Sequence, residues 1–161
     1  MRKLPEVQQA KELMTEAMEW SAFKWLFEKS RVRESADKAN AALDRLNRVV
    51  KAQWSDEVST RYKELTGKSR SIRRLEKVPD RSALADPQIS VLVKKVAEAD
   101  AEAQSARADA EDTFDQAENQ MSTGLARAGC QKAIRSWELH EKAIRSAEAL
   151  TYSITKNPSL R

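Results

Sequence analysis

Helix-breaking residues are so sparse in this chain that their positions dictate most of what it can fold into. Three glycines and four prolines are spread over 161 residues, and between Pro5 and Trp54 neither type occurs. Sheets need frequent turns, and turns draw on glycine and proline. Long helices need neither. Alanine, leucine, glutamate, lysine and arginine make up about half of the chain, the composition of long helices or coiled coil. Charged residues reach 34%, yet the apolar ones recur at helical spacing, which describes a solvated bundle surface and not a disordered chain. The expected fold is all-α: an elongated antiparallel helical bundle, coiled-coil-like, with four to five helices, two of them long, forming a single domain over residues 1–161.

Pro5 suits a first helical turn, where its missing N–H would be unpaired anyway. Leu4, Val7, Met14, Met18 and Trp25 follow a spacing of threes and fours, and the stripe resumes after Glu28 as Val32, Ala36, Ala39, Leu43, Leu46 and Val50, one residue out of phase. This predicts one helix over 5–54, or two bent near 29–31; the absence of a breaker favours one. Ser55 followed by Asp56 and Glu57 reads as an N-cap opening a helical region over 55–78, with Gly67 as an internal stop. Residues 79–87 form a connection ending at Pro87. Heptad-spaced Ile89, Val93, Val96, Ala103, Ala110, Phe114, Ala117 and Met121 predict a helix over 87–121. Cys130, Ala133, Trp137, His140, Ile144 and Ala147 share one face of another over 124–155. The turn between them falls at 122–124, unless Gly124 and Gly129 sit inside one uninterrupted helix.

Four of the nine aromatic residues fall in "WSAFKWLF", residues 20–27. On a helical wheel Trp20, Phe23 and Phe27 lie within about 60° of one another, with Trp25 on the far side. A helix apolar nearly all round must be covered on more than one side. Trp20, Phe23, Trp25 and Phe27 are therefore the candidate interface residues, against the bundle's own core, a second copy, a helical protein partner or an apolar ligand.

Several chemistries lack their residues. There is a single histidine, His140, and "WELHE" does not supply the Glu-x-x-His pairs of a di-iron bundle. Cys130, the single cysteine, excludes an intrachain disulfide and fits a reducing cytoplasm. It stands ten residues from His140, about 15 Å along a helix axis, so the two cannot act together within one chain. Gly67, Gly124 and Gly129 are isolated and make no phosphate loop. No catalytic residue, metal or cofactor is expected. No apolar run is long enough to span a membrane, and the opening residues have no apolar core of a secretory signal.

The net charge of +4 is unevenly distributed. Residues 61–81 are strongly basic and residues 97–120 strongly acidic, so the two segments are able to pair within a molecule or between molecules. Lys68, Arg70, Arg73, Arg74 and Lys77 are the candidate phosphate contacts should the chain bind nucleic acid. The functional expectation is a non-catalytic scaffold or protein–protein interaction protein that self-associates, a dimer being favoured. The alternatives are a nucleic-acid-binding protein using the basic segment and a carrier of an apolar small ligand.

Overall fold

A computed structural model describes residues 4–66 and 87–156 of the chain. They form four helices: α1, Pro5–Ala17; α2, Ala22–Thr66; α3, Pro87–Gln120; and α4, Thr123–Lys156. The fold is an all-α bundle, and the described residues contain no strand.

The helix boundaries correct two expectations. The break in the amino-terminal region lies at 18–21, not at 29–31, and 5–54 is not one helix. α1 closes on i→i+3 bonds, Glu19 N–H to Glu16 carbonyl at 3.0 Å and Trp20 N–H to Ala17 carbonyl at 3.2 Å, the tightened last turn common at helix ends. Ser21 then caps α2, its Oγ accepting from the N–H of Lys24 at 3.3 Å. A serine hydroxyl that satisfies an otherwise orphaned N–H replaces glycine as the signal for the reversal.

The second correction is at Ser55. No helix begins there, because α2 passes through it to Thr66, next to Gly67. Ser55 instead donates its hydroxyl to the carbonyl of Lys51 at 3.0 Å, the back-bonded arrangement of a serine inside a helix.

The α3–α4 connection is two residues long, Met121 and Ser122. The N–H of Ser122 reaches the carbonyl of Ala117 at 3.0 Å, and Met121 takes a left-handed conformation with φ 52°. That is a Schellman-type stop with methionine where glycine is usual, at a steric cost of about 1–2 kcal/mol. Ser122 also caps α4, accepting from the N–H of Leu125 at 3.2 Å. Gly124 lies inside the first turn of α4. Gly129 is a close-packing site, since a Cβ there would stand 2.8 Å from the Phe114 ring.

The helices contribute to two compact units: residues up to Arg45 with Asp100–Lys142, and Leu46–Ala99 with residues from Ala143 onward. In the first unit, Arg33 on α2 meets Asp115 on α3, and further along α2 Asp44 meets Arg107; the two helices are antiparallel. Asp109 meets Lys132 and Phe114 packs on Gly129, so α4 runs back along α3. Lys11 pairs with Glu141, while Trp20 at the far end of α1 takes Arg127, so α1 is antiparallel to α4. Four helix segments thereby enclose Val7, Met14, Trp25, Val32, Phe114 and Trp137, all buried. In the second unit Val50, Val96, Ile144, Leu150 and Ile154 are buried, and Thr151 satisfies its hydroxyl on the Ala147 carbonyl.

Alanine supplies much of the first unit's interior, including Ala36, Ala39, Ala103, Ala110, Ala117 and Ala133. Such smooth stripes allow close approach but set register weakly. One buried polar pair sets it between α2 and α4: Trp137 Nε1 donates to Asn40 Oδ1 at 2.8 Å. Asn40→Ala should lower the unfolding free energy by about 1–3 kcal/mol, the cost of a buried N–H left without an acceptor. Urea denaturation reads it as a lower midpoint at unchanged slope, and an unmoved midpoint would assign register to packing alone.

Candidate interaction surface

The start of α2 divides the aromatic cluster. Because α2 begins at Ala22, Trp20 belongs to the turn before it and shares no helical wheel with the other three. Trp20 and Trp25 are buried, 5% and 1% exposed, whereas Phe23 and Phe27 are 72% and 73% exposed. The four residues therefore do not form one surface. The indoles face the interior of the first unit, and the two phenylalanines, one helical turn apart, face solvent with ring centroids 4.9 Å apart and planes tilted by 60°.

The indoles are held by ring and backbone contacts. Lys24 places its ammonium 4.8 Å from the Trp20 ring centroid, a cation–π contact, and the Trp20 carbonyl accepts from Arg127 at 3.4 Å. Nε1 of both Trp20 and Trp25 has no hydrogen-bond partner in the protein, so burying these rings forgoes two hydrogen bonds in return for apolar area. The Arg127 contact also fixes the geography: the 18–21 turn and the start of α4 occupy the same end of the first unit. Phe23, Phe27 and Met121, the last 59% exposed, lie at or near that end.

A groove runs between α2 and α3, lined in part by Lys29, Arg33, Asp37, Lys38 and Glu118. Its ions largely pair with one another. Arg33 binds Asp115 at 2.6 Å and Glu118 at 3.3 Å, while its guanidinium lies over the Phe114 ring. Lys38 pairs with Glu34 at 2.8 Å, and this hydrogen bond and charge hold the Glu34 carboxyl below its usual range. No aromatic side chain lines the groove.

The acidic stretch of α3 is likewise engaged within the unit. Asp115 and Glu118 take Arg33, Asp109 takes Lys132, and Glu111 takes Arg107. The five candidate phosphate contacts, Lys68, Arg70, Arg73, Arg74 and Lys77, lie outside the described residues. Among the described residues no three metal-ligating side chains gather into a site, and no helix is long and apolar enough to cross a membrane.

Cys130 and His140 are both buried on α4. Burial pushes the Cys130 thiol up to about 12, the opposite of what a nucleophilic or redox-active cysteine requires. Cys130 should therefore stay unmodified by a thiol-reactive disulfide at about pH 8 in the folded protein and react with one equivalent once guanidinium unfolds the chain. Rapid modification of the native protein would refute the burial.

Sequence reasoning missed the serine caps. Ser21 and Ser122 each precede an apolar run, and a serine in that position is itself a helix-start signal. Comparison of the chain with protein-family models, with curated proteins and with solved structures found no match in any of the three.

Proposed function

We propose that this chain is a non-catalytic helical-bundle interaction protein that associates with a second copy of itself through the end of the first unit that carries Phe23 and Phe27. One observation carries the reading: two phenylalanines in ring contact with each other stand exposed to water, while Trp20, Trp25, Phe114 and Trp137 of the same unit are buried. Burying a phenylalanine side chain contributes about 1.5–3 kcal/mol, so a pair on each of two chains is a substantial drive to associate. Aromatic rings in a rim of charge, here Lys24, Lys29 and Arg31, also match the makeup of interface centres. The buried Cys130 thiol makes no demand for an oxidising compartment, and a cytoplasmic setting belongs to this reading.

Sedimentation velocity across a wide concentration range tests it. The wild type should shift from one to two chains, and Phe23→Ser with Phe27→Ser should raise the dissociation constant at least about tenfold, a change of 1.4 kcal/mol. Helicity should hold, because neither side chain is in the core. A wild type that stays monomeric at the highest concentration would remove the proposal.

A second reading keeps the basic 61–81 segment as a nucleic-acid contact. It is favoured by the pairing of Asp109, Glu111, Asp115 and Glu118 with Arg33, Arg107 and Lys132, which gives these four acids basic partners among the described residues. Retention on a nucleic-acid column should fall steeply with salt and drop further in Arg73→Glu with Arg74→Glu; unchanged retention in that variant would exclude the segment.

A further inference from the structure

We infer that the α3–α4 hairpin is a hinge that opens so that two copies of the chain exchange α4, giving a domain-swapped dimer. The inference deepens the self-association reading and rests on it.

The hinge is short and strained. Two residues reverse the chain, and Met121 is the one non-glycine residue with positive φ among those described. A left-handed stop wants glycine and receives methionine, which weakens the hairpin relative to a continuous helix. Rotating Met121 into the right-handed region moves the Ser122 N–H from the Ala117 carbonyl to that of Glu118 and joins α3 to α4 as one helix.

An α4 released in this way cannot remain in water. In the first unit its inner face carries Cys130, Ala133 and Trp137, all buried in the folded chain. The surface that fits this face is the one it left, formed there by α1, α2 and α3, and a second opened copy offers the same surface vacated. Reciprocal exchange closes a two-fold dimer in which the α4 contacts of the first unit re-form between chains: Asn40 with Trp137, Lys11 with Glu141, Asp109 with Lys132. The cores are unchanged and the strain at both copies of Met121 is relieved. Short connections under strain favour this route. The two-fold passes near residues 121–122, so the bundle ends carrying Phe23 and Phe27 approach one another across it and cover the exposed rings.

The test refolds a mixture of ¹⁴N- and ¹⁵N-labelled full-length chains from guanidinium at high concentration, isolates the dimer and treats it with a zero-length carbodiimide. Lys132 Nζ and Asp109 Oδ1 are 3.2 Å apart, and exchange places them on different chains. The expected product is a light–heavy hybrid of the peptides containing these two residues. Met121→Gly, which relieves the strain without opening, should raise the dimer dissociation constant at least about tenfold, while Met121→Ala should leave the dimer in place. A dimer yielding only light–light and heavy–heavy links overturns the exchange while leaving association through intact bundles standing. So does a dimer indifferent to Met121→Gly. Absence of any dimer overturns both.

Discussion

The hydrogen bond between Trp137 and Asn40 is the constraint on which the arrangement of the first unit depends. Alanine-lined helices approach closely and slide easily, because a methyl group fits nearly any neighbouring hollow. Dispersion contacts reward proximity more than position. A buried indole N–H, by contrast, accepts only a partner at the right place, and missing it costs more than the bond itself contributes. With Asn40 and Trp137 joined at 2.8 Å, α2 and α4 have one favoured register. The ion pairs of Arg33, Asp44 and Lys132 then fall into line with it around α3.

The same unit illustrates how polar termination replaces glycine. Both reversals in the described chain, at 18–21 and at 121–122, end in a serine whose hydroxyl takes the N–H three residues on. At the first, i→i+3 bonds absorb the remaining orphan groups; at the second, Met121 absorbs them with an unfavourable φ. These reversals gather at one end of the unit, and that end also carries the exposed phenylalanines. Chain reversal, backbone strain and apolar exposure thus coincide, while charge along α2, α3 and α4 is largely internally balanced.

Much of this architecture is legible in the sequence. The period of Val32, Ala36, Ala39, Leu43, Leu46 and Val50 reports a helix face, and all but the half-buried Leu46 are buried. Pro87 marks a helix start, and Cys130, Trp137 and Ile144 mark the inner face of α4. The break at 18–21 is hidden because a serine cap is a weak signal beside an unbroken apolar stripe. Ser55 misleads for the mirror-image reason: serine followed by acids resembles a cap, but a hydroxyl bonded back to Lys51 serves equally well within a helix.

The sequence by itself determined that the chain is helical, where α3 and α4 run and which faces turn inward. These properties follow from local backbone preference and from the spacing of apolar side chains along a single helix. Only the tertiary structure decided how the aromatic cluster is divided, with Trp20 and Trp25 inside and Phe23 and Phe27 in water. That division depends on where α2 begins. A start at Ala22 turns Trp25 into the interior of the first unit, takes Trp20 off the helix altogether, and leaves the two phenylalanines exposed.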